Sequence, residues 1–174
     1  MTMSALWRRL PFPEEHVVGL EVGLVLDRLV RRRWPRWTRL VGLPLVAVGA
    51  LVNVAAVMAW AGDELDRPTA LVRNGPYAWS RNPMYLGWSM IHLGTALATR
   101  SPGMSVTWSV SAVLLHQEIR REERQLAERL GGQFTAYAAA VPRYLGARSG
   151  RALTRSVRAR ARTRPRRSGR SRRA

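Results

Sequence analysis

Two adjacent glutamates in the last third of the chain are the side chains best suited to chemistry. They lie in the segment from Ile119 to Leu130, whose apolar residues recur at helical spacing, and Glu122 and Glu123 fall in the middle of that apolar stripe. At least one carboxylate therefore faces the surface on which the stripe packs, where it needs a cationic or hydrogen-bonding partner. The pair could instead bind neighbouring arginines on a solvated face, and the spacing does not decide between these interpretations.

A second group of chemically capable side chains lies in and just after a polar loop, residues 62–83, that is dense in turn-forming residues. It combines three aromatic rings with two arginines: Tyr77, Trp79, Tyr85, Arg73 and Arg81. Tyrosine rings beside such a backbone would suit a flat, cationic ligand. Aromatic residues at the entrance to a membrane helix are also ordinary interfacial anchors, so composition alone leaves both roles open.

Four apolar segments must position these side chains. The clearest is Val41 to Ala61, 21 residues without a charge, which is about the length that a spanning helix needs. The other three are shorter or are interrupted by acids: His16 to Val30, Met84 to Thr99 and Met104 to Ile119. The last two of these flank a turn signal, so they predict a helical hairpin. The sequence predicts an all-α integral membrane bundle of about four transmembrane helices, with Ile119 to Leu130 as a C-terminal amphipathic helix.

Charge divides the chain into two parts. The formal net charge is +18, and all 29 basic residues are arginine, which is typical of a GC-rich bacterial genome. Residues 147–174 hold 12 of these arginines and no acid, so we predict a membrane domain over residues 1–146 and a disordered tail over 147–174. The absence of cysteine excludes disulfides, thiolate metal sites and cysteine nucleophiles. The three histidines are too scattered in the sequence to predict a metal site.

Two separated motifs carry a resemblance to a known family. The first is Gly75-Pro76-Tyr77 followed by Ser80-Arg81-Asn82-Pro83-Met84-Tyr85-Leu86-Gly87, and the second is Arg120-Arg121-Glu122-Glu123 followed by Val141-Pro142-Arg143. Together they resemble the isoprenylcysteine carboxyl methyltransferase family and its bacterial members, which are related to phospholipid N-methyltransferases. The resemblance extends from about Val41 to Leu145.

The resemblance implies a small membrane methyltransferase that uses S-adenosyl-L-methionine and needs no metal. The methyl group would pass to a carboxylate or an amine of a lipid-like or prenylated acceptor. Position by position, the resemblance assigns cofactor contacts to two parts of the first motif region and to one glutamate: Thr69, Ala70, Leu71, Val72 and Tyr77; Asn82, Pro83, Met84 and Tyr85; and Glu122.

The predicted catalytic residues, Glu118, Arg121 and Arg143, depend on the acceptor. A carboxylate is already ionised at neutral pH, whereas an amine must first lose a proton, and Glu118 beside Glu122 is then the candidate base. Glu118 stands where the isoprenylcysteine enzymes have a basic residue, so a carboxylate acceptor would require Arg120, Arg121 or Arg143 to offset its charge. The prenylcysteine substrate therefore does not follow from the resemblance.

The predicted location is the cell inner membrane, with several crossings and with the cofactor site and the C-terminus in the cytoplasm. In this interpretation the tail could contact anionic lipid and binds no specific nucleic acid. The alternative is a non-catalytic membrane protein whose arginine-rich tail binds anionic lipid or nucleic acid.

Overall fold

The structure, a computed structural model, describes residues 14–29, 33–66 and 71–146 of the 174-residue chain. These ranges contain a 3-10 turn at Gly75–Ala78 and the helices α1 (Glu14–Leu29), α2 (Thr38–Asp66), α3 (Pro83–Thr99), α4 (Pro102–Leu130) and α5 (Gly132–Ala140). No strand occurs in the described ranges, so the all-α prediction is confirmed for them. Thr69, Ala70 and the predicted disordered tail lie outside the described residues.

The predicted hairpin is present and forms the centre of the bundle. Helix α3 is followed by its C-cap residue, Arg100, which adopts a left-handed conformation (φ 62°). Ser101 then caps α4, because its side-chain oxygen accepts a hydrogen bond from the Met104 amide at 2.9 Å, and Pro102 occupies the first helical position. Helix α2 packs along α3, and α1 packs along α4.

Two predicted element boundaries were wrong. The segments that we predicted as a hairpin arm and a separate amphipathic helix form one unbroken helix, α4, because no glycine or proline interrupts the chain between Gly103 and Gly131. Helix α2 likewise continues to Asp66, into the predicted polar loop, since the first proline after it is Pro68. Helix α5 was not predicted; Gly131, at φ +51°, ends α4 and allows the chain to turn into it.

Buried polar contacts attach α1 to the hairpin. The Nδ1 atoms of His16 and His92, both fully buried, are 3.0 Å apart. The Asp27 carboxylate accepts a hydrogen bond from the Gly103 amide at 3.0 Å, at the positive end of the α4 dipole. Asp27 interrupts an apolar segment of the sequence, and in the structure it stabilises the start of the neighbouring helix.

Glycines allow α2 and α3 to approach until their backbones touch. A Cβ added at Gly94 would lie 2.8 Å from the Val46 amide nitrogen and 2.9 Å from the Gly42 carbonyl oxygen. A Cβ added at Gly87 would collide with the side chain of Asn53. The contact therefore depends on the absence of side chains along this face of α3.

We expect Gly94→Ala to destabilise the protein by about 1–3 kcal/mol, because backbone atoms of α2 cannot move away from the added methyl group as a flexible side chain could. Thermal unfolding in detergent measures the effect. Gly132→Ala is the matched control, since a Cβ at Gly132 meets no atom within 4 Å. Equal unfolding midpoints for the two variants would contradict the close α2–α3 contact.

One helix of the described ranges is long and apolar enough to cross a membrane. It covers Thr38–Ala61 of α2, 24 residues with a mean hydropathy of 2.3. Only 17% of this segment is buried within the bundle, and large side chains such as Leu40 and Leu51 are 78% and 69% exposed. Such exposure is unlike the core helix of a water-soluble domain. The other three predicted spans stay predictions.

Candidate functional site

The two motifs meet at Glu123. Its Oε2 atom accepts hydrogen bonds from Nε and Nη2 of Arg143 at 3.0 and 2.7 Å. Its Oε1 atom lies 3.4 Å from Nη2 of Arg81 and accepts a hydrogen bond from Nδ2 of Asn82 at 3.3 Å. One largely buried carboxylate thus contacts two arginines from distant parts of the chain, and its bonds to Arg143 have the short distances typical of charge-assisted hydrogen bonds.

Backbone contacts bind the same two segments to each other. The Arg81 amide donates to the Pro142 carbonyl oxygen at 3.0 Å, and the Ser80 hydroxyl donates to the Arg143 carbonyl oxygen at 3.2 Å. Asn82 is the N-cap residue of α3, and its Nδ2 also donates to the Arg143 carbonyl oxygen at 3.2 Å. The entrance of α3 is therefore held against the segment that follows α5.

Glu122 has surroundings quite unlike those of its neighbour. Its Oε1 accepts a hydrogen bond from the hydroxyl of Tyr85 at 2.7 Å, and no cation of the described residues forms an ion pair with it. Burial raises the pKa of Glu122 above its usual value, repulsion from Glu118 and Glu15 adds to this effect, and the Tyr85 hydrogen bond opposes it. Glu122 is thus a desolvated carboxylate without a counter-ion.

An apolar cavity of about 260 Å³ begins beside Tyr85 and lies between α3 and α4. Its wall includes His116 and Tyr144, whose Nδ1 and Oη atoms are 2.8 Å apart. Tyr144 also packs against Leu115 and Ile119 of α4, so the segment after α5 closes one side of the cavity.

Helix α5 supports the loop that carries the first motif. Phe134, Tyr137 and Val141 form a buried cluster on which Leu71 packs. The Tyr137 hydroxyl donates a hydrogen bond to the carbonyl oxygen of Tyr77 at 2.8 Å. Burial raises the pKa of Tyr77 to about 12, so its hydroxyl keeps its proton at neutral pH.

The structure brings some of the predicted site residues together and separates others. Asn82 donates a hydrogen bond to Glu123, and Tyr85 donates one to Glu122, so these members of the predicted cofactor set contact two adjacent glutamates of α4. Glu118 and Arg121 form an ion pair of 3.2 Å with each other, and their side chains are 45% and 62% exposed. The third predicted catalytic residue, Arg143, is bound to Glu123 instead.

Sequence reasoning assigned no role to His116 or Tyr144. His116 was visible only as a polar residue near the end of an apolar segment. Tyr144 directly follows the closing Val141-Pro142-Arg143 motif, and that adjacency was the one signal that could have indicated it.

Comparison with known proteins decides the family. Residues 37–133, which include α2, α3 and α4, match the family model described as phospholipid methyltransferase. The chain belongs to the phospholipid methyltransferase family. This match confirms the relationship predicted from the two motifs, and both Asn82 and Glu122 fall inside the matched range.

Curated relatives of this phospholipid methyltransferase family member are named protein-S-isoprenylcysteine O-methyltransferase. The Homo sapiens protein is 27% identical over 123 residues, which are 63% of this chain and 43% of that protein. The Xenopus laevis protein is 26% identical over 114 residues, 61% of this chain and 40% of that protein. The matched part of the chain thus spans less than half the length of these relatives.

Proposed function

We propose that this protein is a membrane methyltransferase that takes a methyl group from S-adenosyl-L-methionine and transfers it to a lipid-like or prenylated acceptor. The observation that carries the proposal is the partly buried carboxylate of Glu122, which has no counter-ion among the described residues and is hydrogen-bonded to Tyr85 in the wall of an apolar cavity. It stands beside the junction of the two motifs, within the family match.

The residues around Glu122 fit the chemistry of S-adenosyl-L-methionine. This molecule carries a sulfonium and an ammonium, two ribose hydroxyls and a flat adenine ring, and when bound it supplies an electrophilic methyl group. Glu122 can accept hydrogen bonds from hydroxyl or ammonium groups, and the Tyr85 and Tyr77 rings offer faces for a cation or an aromatic ring. Asn82 to Tyr85, Leu71 and Val72 complete the proposed binding surface, and Thr69 and Ala70 belong to it by resemblance.

The remaining charged residues act by positioning. Arg143 and Glu123 hold the segment after α5 against the start of α3, which keeps Glu122 and Tyr85 in fixed relative positions. Glu118 and Arg121 neutralise each other on the exposed face of α4. Glu118 would accept a proton from an acceptor only if this pair opened.

The acceptor would occupy the cavity between α3 and α4 with its apolar part. Exposed valines and leucines occur on α1, α2 and α4, for example Val22, Leu51 and Val110, which supports a bundle surrounded by lipid with several crossings. A cell inner membrane location with the cofactor side in the cytoplasm follows if the donor is taken from the cytosolic pool.

Donor binding by the full-length protein in detergent tests the proposal. Calorimetry should detect binding of S-adenosyl-L-methionine and its displacement by S-adenosylhomocysteine, whereas ATP, which has the adenosine without the sulfonium, should not compete. A chain without residues 147–174 should bind the donor equally well. Absence of binding by the full chain would overturn the proposal. Binding that vanishes with the tail would favour the alternative of a tail-centred function.

A further inference from the structure

Three arginines lie at the end of the bundle where the hairpin turns, opposite the candidate donor site. Arg36 and Arg39 flank the start of α2, and Arg100 is the C-cap residue of α3. Helix α3 has 17 residues, so its two ends are about 25 Å apart. Arg36 and Arg39 are exposed, and Arg100 is half-buried. We call these three residues the arginine surface.

Hydrogen bonds fix the start of α2 beside the end of α3. The Trp34 amide donates to the Arg100 carbonyl oxygen at 3.0 Å, and Nε of Arg100 donates to the Trp34 carbonyl oxygen at 2.6 Å. The Thr38 hydroxyl lies 2.9 Å from the Leu97 carbonyl oxygen. The three guanidinium groups are therefore carried by backbone segments that are bound to each other.

The arginine surface carries an excess of positive charge. None of its three guanidinium groups forms an ion pair with an acid of the described residues. The acid that the described residues place at this end is Asp27, which is paired with Arg33 at 3.5 Å. The preceding acid of α1, Glu21, is about 9 Å of helical rise farther away. Arg28, in the last turn of α1, adds a further positive charge.

The arginine surface lies at the depth where a bilayer has its headgroups. The apolar segment of α2 that is long enough to cross a membrane begins at Thr38, between Arg36 and Arg39. Trp34 and Trp37 are both exposed beside this boundary, as is common for aromatic rings at a membrane interface. Positive charge at this level faces the phosphate groups of lipids.

An apolar surface continues directly from the arginines. Leu40 and Leu43, in the first turns of α2, are largely exposed. A soluble anion would contact the arginines alone, whereas a phospholipid can place its phosphate on the arginines and its acyl chains along the leucines. The order of charge followed by apolar surface therefore favours a lipid over a soluble anion.

We propose that the arginine surface binds the headgroup of an anionic phospholipid whose acyl chains lie along α2. Guanidinium groups bind phosphate oxygens through paired hydrogen bonds, and an anionic lipid has no cationic headgroup to offset its phosphate. The inference is independent of methyl transfer, because it concerns the end of the bundle opposite the candidate donor site.

Two phospholipids with the same acyl chains test the headgroup assignment. The full-length protein in detergent is titrated with phosphatidylglycerol or with zwitterionic phosphatidylcholine, and bound lipid is measured by native mass spectrometry. We expect at least about tenfold higher affinity for phosphatidylglycerol, since each arginine near an anionic lipid contributes a factor of about five. Inorganic phosphate should not displace the lipid, because it lacks the acyl chains. Every variant keeps residues 147–174, so their arginines contribute equally to each comparison.

Paired variants locate the site. Arg36→Gln/Arg39→Gln should lower the affinity for phosphatidylglycerol by about 30-fold. Arg36→Lys/Arg39→Lys keeps both charges and should lower it by less than about threefold. Arg124→Gln/Arg129→Gln is the matched control, since it removes two exposed arginines on either side of Glu128, at the other end of the bundle. We expect the control to change the affinity by less than about threefold.

Each contrary outcome overturns a separate part of the assignment. Equal affinities for the two phospholipids would exclude recognition of an anionic headgroup. Equal losses in the two glutamine variants would show that attraction is spread over the whole protein. A lysine variant that binds as weakly as the glutamine variant would show that the arginines act on the structure and not through their charge. Displacement by inorganic phosphate would assign the surface to a free phosphate group. Donor binding, measured separately, tests the proposed function and is unaffected by these results.

Discussion

Glu123→Gln is expected to lower the stability of the protein by about 2 kcal/mol and to weaken donor binding at least about tenfold. The side chain is largely buried, with an exposed fraction of 11%, and its carboxylate forms ion pairs with Arg81 and Arg143. Loss of one member of a buried ion pair costs about 3–5 kcal/mol, and the partial exposure of Arg143, 33%, reduces this value. Donor affinity falls because the start of α3 is no longer held against the segment after α5.

Thermal unfolding and calorimetric titration of the donor measure the two effects. Glu128→Gln on the exposed surface of α4 removes the same charge from the same helix and should change the free energy of unfolding by less than about 0.5 kcal/mol. In a double-mutant cycle, Glu123→Gln and Arg143→Gln together should cost less than the sum of the single changes, because each removes the partner of the other. Strict additivity would show that the ion pair does not hold the motifs together.

Glu122→Gln should have the opposite profile, with donor affinity falling about 100-fold and stability unchanged or increased. Burial raises the pKa of Glu122 in the folded protein, so the folded state prefers the protonated side chain. The favourable contribution of Glu122 to stability is therefore complete below the usual pKa of a glutamate and is lost as the pH rises through the raised value. A neutral glutamine avoids this loss at neutral pH.

The pH dependence of donor binding follows from the same raised pKa. A cationic ligand binds the ionised carboxylate, so wild-type affinity should fall up to about tenfold per pH unit as the solution is acidified through the raised pKa of Glu122. The affinity should begin to fall at a higher pH than it would if the glutamate had its usual pKa. Titration of donor binding across the acid range, in wild type and in Glu122→Gln, measures it. A curve for Glu122→Gln with the same slope as the wild type would assign the titration to another group.

The sequence predicted the parts of the fold that depend on local composition. The hairpin turn followed from Ser101, Pro102 and Gly103, and the end of α4 followed from Gly131. Helix α5 could not be predicted, because its short apolar run is stabilised by tertiary packing of Phe134 and Tyr137 against the loop of the first motif. Local patterns do not contain such contacts.

The residue types at the site could be predicted from the sequence, but the partner of each glutamate could not. The position of Glu122 and Glu123 on an apolar stripe required a partner for at least one of them, and the structure gives a different partner to each. Which glutamate meets the arginines depends on where residue 143 returns after α5, a long-range feature absent from helical spacing. The ion pair between Glu118 and Arg121 is local, three residues apart on one helix, and spacing alone could have indicated it.

The unbroken course of α4 couples the two ends of the site. His116 and Glu122 lie on one continuous helix, separated by about 9 Å of helical rise, with no flexible joint between them. A ligand that shifts α4 at the cavity therefore also shifts the carboxylate that would hold the donor. By thermodynamic linkage, the factor by which the acceptor changes donor affinity must equal the factor by which the donor changes acceptor affinity, so the order in which the two ligands arrive does not alter the stability of the complete ternary complex.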